Sequence, residues 1–284
     1  MSVVIPVRDE PRARRAVEAV LAQDEIESVV EILLVGSGIP ELPADPRLIR
    51  LEAEAAVSPG ANRNRGLLRA TGDAVIFLDA DCIPRPGWLA VLRRSLRTAP
   101  VVSGAVALGA DGYWATAYNV TSFSLFHEGL PAGTRPFLPT LTLAVRREVF
   151  DTAGPLDETL FRCEDMDWTM RMAARGFLLA FEPRAVVEHR PASSLGIALS
   201  KWRQGGAASI LVRRRHARTA ADRRALRLFH PWALRLLFPV LGLGAALRAF
   251  RSPASWRYLH TLPGVYLTKV AWCLGAARAG AAPG

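Results

Sequence analysis

The first 78 residues alternate between short apolar runs of strand length and segments with helical spacing, and this pattern limits the fold more than any other feature. Ser2 to Val7 (SVVIPV) is β-branched, apolar and ended by a turn, which predicts a buried strand. Arg12 to Leu21 places Ala13, Ala16, Val17, Val20 and Leu21 at helical spacing. Glu31 to Val35 (EILLV) predicts a second strand, stopped by Gly36-Ser37-Gly38, and Arg47 to Leu51 a third. Ala61 to Ala70 predicts a helix ended by Gly72. Ala74 to Leu78 (AVIFL) then predicts a fourth strand, which runs directly into Asp79-Ala80-Asp81. Such alternation builds a largely parallel sheet covered by helices on both faces. Ligands of these sheets bind beyond the carboxyl ends of the strands, so Gly36 to Gly38 and Asp79 to Asp81 are expected to face one crevice.

Further along, Pro86-Gly87-Trp88 opens a helix with Leu89, Leu92 and Leu96 on one side. Val101 to Leu108 predicts a strand, Met166 to Ala174 a helix, and Leu178 to Phe181 and Ala185 to Val187 two short strands. Asp111 to Pro139 carries no legible signal.

Of the 284 residues, 50% are hydrophobic and 22% charged, which is globular composition and argues against disorder. Cys82, Cys163 and Cys273 lie far apart and form no CxxC pair, so no disulfide framework is expected and a reducing compartment fits. The opening MSVVIPVRDE has no basic stretch before a long apolar core, so no secretion signal is expected. A cytoplasmic location follows, with a peripheral place at the inner face of the cell membrane as the variant. Net charge is +10, unevenly placed. From Arg190 onward 16 Lys/Arg stand against one acid, Asp222, while the first 189 residues carry 20 Lys/Arg and 25 Asp/Glu. The acidic part suits a cation and the basic part an anionic surface.

Three groups carry chemistry. Asp79 and Asp81 leave a buried strand as a carboxylate pair, which suits Mg2+ or Mn2+ shared with a diphosphate; a solvated acidic turn is the structural alternative. Glu164-Asp165-Met166-Asp167 opens a helix, where acids meet the helix dipole; one of them is otherwise a general base for a hydroxyl that must lose its proton. His189 ends the run Val186-Val187-Glu188-His189 and is either structural or a metal ligand.

At these residues the chain resembles the family 2 glycosyltransferases. Ser58 to Leu89 (SPGANRNRGLLRATGDAVIFLDADCIPRPGWL) resembles the family's donor-site block, with Arg63-Asn64, Gly72-Asp73, the DxD motif and the Pro-Trp-Leu exit. SVVIPVRDE resembles its first strand. Thr140 to Gly176 resembles its acceptor-side block, with Arg146-Arg147, Phe150, Gly154, Asp157-Glu158 and the Glu-Asp motif, and VVEH resembles the strand that ends in a metal-binding histidine. Together these cover residues 1 to 192 in the family's order.

The resemblance implies a GT-A fold, a Rossmann-like α/β architecture with a mixed, mainly parallel sheet, followed by a C-terminal helical extension. It implies transfer of a sugar from a UDP-, GDP- or TDP-sugar to an acceptor hydroxyl, inverting and dependent on Mn2+ or Mg2+. Asp81 and His189 would be the metal ligands, and Asp165 the catalytic base. Pro6, Arg8, Glu10, Arg63, Asp79 and Asp81 would bind the donor, with Glu10 meeting the nucleotide and Arg63 near the base or diphosphate. Glu164, Asp165 and Arg146 would line the acceptor side. Two departures stand out. The family usually carries an acid where this chain has Gly36, and Thr142 and Leu143 stand where an Asn is frequent. The Gln-x-x-Arg-Trp signature of processive synthases is absent, which implies a single transfer. The loss of the acid at Gly36 motivates the alternative of a catalytically impaired nucleotide-sugar or glycan binding protein on the same fold. A nucleotidyltransferase would need a Gly-rich phosphate loop, and Val7 to Arg12 offers none.

These features divide the chain into a catalytic domain, residues 1–195, and a basic amphipathic extension, residues 196–284. In the extension, Arg213 to Arg215, Arg218, Arg223, Arg224 and Arg227 lie beside apolar, Trp-containing segments. Leu236 to Leu247 is apolar for 12 residues, bracketed by Arg235 and Arg248 and interrupted by Pro239. A membrane span needs about 20 such residues, so this run predicts an interfacial or core helix; Leu262 to Ala277 is similar and is broken by Lys269. Contact with an anionic membrane and a glycan or lipid-linked acceptor of the cell envelope fit that charge, as does a solvated arginine face on a completed core. No nucleic-acid reading module accompanies it.

Overall fold

The computed structural model describes residues 1–53, 57–191, 193–217, 219, 222, 224, 226 and 229–279. Arg218, Arg223 and Arg227 of the basic stretch lie outside the described residues. The chain forms two compact units: Met1–Ala107 with Leu130–Arg190, and Leu108–Gly129 with the chain from Pro191 on. Residues 108–129, counted above with the catalytic domain, therefore group with the C-terminal helices.

In the first unit, β1 (Ser2–Arg8), β2 (Glu31–Ser37), β3 (Leu48–Glu52) and β4 (Ala74–Leu78) form a parallel half-sheet in the order β3-β2-β1-β4. Helices α1 (Ala13–Leu21) and α2 (Pro59–Arg69) make the crossovers. β4 is apolar throughout, and β1 is so from Val3 to Val7, because both faces of these runs are buried or nearly so. α2 begins where Ser58 accepts a hydrogen bond from Ala61 N and Pro59 takes the first helical position, so its start was legible two residues earlier than expected.

The sheet continues past β4 into a mixed half. β8 (Thr142–Arg146) runs antiparallel to β4 and to β6 (Val101–Ala107), and β9 (Leu179–His189) lies parallel to β6. Antiparallel partners of β9 are β5 (Cys82–Pro84) and the two-residue β7 (Gly133–Thr134). The two short strands expected near 178 and 185 are one strand with a register shift opposite Ser103/Ala105. β8 and β5 were not foreseen. Helices α3 (Trp88–Ser95), α5 (Arg147–Ala153) and α6 (Glu164–Ala174) complete this unit.

The second unit is helical: α4 (Tyr113–Ser122), α7 (Leu195–Arg215), α8 (Pro231–Ala249), a 3-10 segment (Pro253–Thr261) and α9 (Leu262–Ala279). α9 packs against α7, α8 and α4. The approach to α7 is close enough that a Cβ on Gly206 would strike the Trp272 carbonyl, and one on Gly275 the Arg203 backbone. Two sequence expectations are corrected here. α8 runs through Pro239 without a break, so the apolar helix is 19 residues long instead of 12. α9 runs through Lys269, because the ammonium donates to Thr121 O at 3.2 Å and lies 4.5 Å over the Trp202 ring. Among the described residues α8 alone is long and apolar enough, by length and composition, to cross a membrane.

Candidate active site

The carboxyl ends of β1, β2 and β4 converge, and so do the groups the sequence singled out there. β4 delivers Asp79 at its end, where Asp79 N donates to Leu141 O at 3.2 Å. From α2 the Arg63 guanidinium, 4% exposed, reaches across to two acids. Its Nη2 meets Asp79 Oδ1 at 2.6 Å and its Nη1 meets Glu164 Oε1 at 2.9 Å. One buried cation thus ties the DxD strand to the first turn of α6. Its neighbour Asn64 secures the chain before α6, donating to Leu156 O at 3.0 Å and to Glu158 Oε1 at 2.8 Å.

Asp165 lies beside this pair without an ion-pair partner among the described residues. Its Oδ1 accepts from Met166 N at 2.7 Å. Burial first, and then the neighbouring Glu164 carboxylate, push its pKa up to about 7, against the opposing pull of Arg63. Three carboxylates (Asp79, Glu164, Asp165) crowd one guanidinium, and the Asp165 proton is the one held up to about 7. A carboxyl poised at that value suits a general base.

A second cluster forms where β5 meets β9. The register sets Cys82 opposite His189 and so brings Asp81, one residue before β5, beside the end of β9. Asp81 Oδ2 and His189 Nε2 are 3.4 Å apart. With Cys82 they form a group whose ligand atoms all lie within 4.8 Å of one another. Burial and the Asp81 and Asp79 carboxylates hold the Cys82 thiol well above its ordinary pKa, which leaves Asp81 and His189 as the stronger donors. A carboxylate with an imidazole suits Mn2+, whereas Mg2+ keeps to oxygen ligands, so the residues present fit a divalent ion of the former kind.

The nucleotide-loop candidates lie at the end of β1. Pro6 and Arg8 pair in register with Val35 and Ser37 of β2. Glu10 is held by Arg12 through contacts of 2.6 Å to both carboxylate oxygens, and the same guanidinium donates to Arg190 O. Arg12 therefore joins the loop after β1 to the segment that follows His189. Sequence reasoning missed it, since its partner lies 178 positions away.

Two positions gain a structural account. Arg146 was expected on the acceptor side, but β8 is antiparallel to β4 and pairs Arg146 with Ala74, whereas Thr142 pairs with Leu78 beside Asp79. Arg146 thus stands at the opposite end of the strand pair, where its Nε donates to Leu96 O at 2.8 Å. The departure at Gly36 also has a steric cause. Gly36 sits at φ +138, and a Cβ there would strike the Val7 carbonyl and come within 2.8 Å of Asn62 Nδ2. Close approach of β1, β2 and α2 leaves no room for the acid usual at this place.

A parallel β/α half joined to a mixed half, with a carboxylate pair at the end of the central strand, defines a GT-A fold. The chain belongs to glycosyl transferase family 2, whose model matches residues 2–152. It is 32% identical over 165 residues to the pre-mycofactocin glycosyltransferase of Mycobacterium tuberculosis, covering 55% of this chain and 35% of that protein. It therefore spans about a third of that relative's length. It is 29% identical over 225 residues to glycosyltransferase AglE of Haloferax volcanii, covering 75% of this chain and 73% of that one. Its fold is similar to that of the mannosyltransferase PcManGT from Pyrobaculum calidifontis, solved in complex with GDP-Man and Mn2+. The TM-score is 0.65 at 18% identity, over 98% of this chain and 86% of that one.

Proposed function

We propose that this chain transfers a sugar from a nucleotide-diphosphate sugar to an acceptor hydroxyl, in one inverting and non-processive displacement that depends on a divalent metal. The carrying observation is the Asp79–Arg63–Glu164 bridge, which sets Asp165, with its pKa near 7, beside the carboxylate pair. In this reading the Asp165 carboxylate accepts the proton of the acceptor hydroxyl. The acceptor oxygen forms a bond to the anomeric carbon, the bond from that carbon to the diphosphate breaks, and the nucleoside diphosphate leaves. Arg63 is a positioning residue: it holds Glu164 and Asp79 and limits how far the Asp165 pKa rises.

Asp81 and His189 would hold the metal, which when bound offsets charge developing on the leaving diphosphate. Mn2+ is favoured over Mg2+ by the imidazole, and the Mn2+ in PcManGT supports the same choice. Pro6, Arg8 and the Arg12-held Glu10 would line the nucleotide side. The donor is a UDP-, GDP- or TDP-sugar, and the acceptor a glycan or lipid-linked hydroxyl met at the cytoplasmic face of the membrane. Calorimetric titration of UDP, GDP and TDP, each with and without Mn2+, tests this. One diphosphate should bind only with Mn2+, and that result names the base. Binding of none of them would overturn the reading.

A further inference from the structure

Between Arg235 and Arg248, α8 is apolar all round. One stripe, Leu234, Gly242, Ala246 and Ala249, is buried, and Gly242 sits against Val270 of α9. At helical spacing the opposite face carries Trp232, Leu236, Val240, Leu243 and Leu247, all exposed; Leu236 is 71% and Val240 70% exposed. A helix face of this kind is stable only when something apolar covers it. Trp256 and Leu259, in the neighbouring 3-10 segment, are exposed as well.

The surrounding charge identifies the cover. From Arg190 on, 16 Lys/Arg face one acid, and Leu108–Gly129 adds only Asp111 and Glu128. Arg213 to Arg215, Arg235, Arg248, Arg251 and Arg257 are exposed. No charge falls between Arg235 and Arg248. That uncharged run is about 18 Å long at 1.5 Å per residue, against a hydrocarbon layer of about 30 Å. The run is too short to cross, and the arginines at its two ends match headgroup depth for a helix lying along the surface.

We propose that the Trp232–Leu247 face of α8 docks into the surface of an anionic lipid bilayer, lying along it, with the flanking arginines on the lipid phosphates. Binding of this face to lipid requires no sugar transfer, so the proposal stands or falls independently of the transfer reading. The full chain is sedimented with vesicles of phosphatidylcholine alone and of phosphatidylcholine mixed with phosphatidylglycerol. Binding to the mixed vesicles should be at least about tenfold tighter and should weaken with salt, since each arginine near an anionic surface strengthens binding about fivefold. The exposed-site variant Leu236→Glu with Val240→Glu should lose about tenfold or more, with unchanged helix content and unchanged nucleoside diphosphate binding. Trp232→Phe should reduce quenching of tryptophan fluorescence by brominated lipid. Four results would each overturn the proposal. They are no vesicle binding, equal binding to neutral vesicles, protein that alkaline carbonate cannot release from the vesicles (a spanning helix), and a dimer that the double variant dissolves while vesicle binding persists.

Discussion

The two ends of the β4–β8 strand pair handle arginine in opposite ways. At the Ala74 end, Arg146 donates to Leu96 O, and Arg147 donates to Ala70 O at 2.6 Å and to Gly72 O at 2.8 Å. These cations close loops onto the sheet, and their hydrogen bonds go to main-chain carbonyls; Arg146 also pairs at 3.5 Å with Glu148, a largely exposed carboxylate. At the Leu78 end, Arg63 is buried between two carboxylates with a third close by. Carbonyl partners satisfy a cation and leave nothing to titrate. A guanidinium shared among three acids leaves a proton whose affinity is set near neutral pH. One end ties main chain to the sheet and the other holds a carboxyl whose pKa is raised to about 7.

Substitutions can break this contrast. Asp165→Asn should lower the transfer rate by about 10²–10⁴-fold with nucleoside diphosphate affinity unchanged; a variant with the original rate would remove Asp165 as the base. Arg63→Met leaves buried carboxylates uncompensated and should cost about 3–5 kcal/mol in denaturant unfolding. It should also raise the pH midpoint of activity, because Arg63 holds the Asp165 pKa down. Arg147→Met should cost about 1–3 kcal/mol and leave that midpoint in place. If both arginine variants lose the same stability and neither moves the pH profile, the contrast is wrong. Gly36→Asp should cost about 1–3 kcal/mol through backbone strain and overlap and should gain no nucleotide affinity in calorimetry.

The smallest effects are the most specific. Activity should rise with pH through a midpoint of about 7 as Asp165 ionises. Stability should move the other way. The folded protein keeps a proton that the unfolded chain releases in the ordinary carboxylate range. This stabilisation is present below that range and is lost as pH rises through about 7. Asp165→Asn should flatten the slope, which thermal melts between pH 5 and 8 would show.

Much of this was legible because the informative segments are apolar on both faces. β1, β2 and β4 announce themselves as β-branched runs, and β4 points directly at Asp79 and Asp81. β8 escaped notice because it is five residues long and its meaning lies in its neighbours β4 and β6. α4 escaped because its buried side is mostly small or polar (Ala115, Thr116, Ala117, Asn119 and Thr121), and Val120 by itself makes no hydrophobic period. β9 looked like two strands since Glu182, Pro183 and Arg184 interrupt its apolar pattern. Among the candidate site residues, Asp79, Asp81, Asp165 and His189 stood out by motif, and the fold brings Asp79 to Arg63 and Asp81 to His189. The bridging role of Arg63 did not stand out, because its partner Glu164 is 101 residues away. That Arg146 lies at the end of β8 away from Asp79 follows from strand direction, which a motif does not carry.

The pairing of β5 with β9 has a consequence for the order of folding. Asp81 precedes the three-residue β5, while His189 ends β9, the last strand of the chain's sheet, which lies between β6 and β5. The two ligand candidates are therefore distant in sequence and meet only after the final strand has been threaded into place. Contacts of such separation form late, since chain closure must precede them. A nascent chain that has released residues 1–150 would carry the whole carboxylate pair without His189. An ion that binds Asp81 and His189 together would then favour the fully threaded sheet over its unfinished forms, so metal and strand would secure each other.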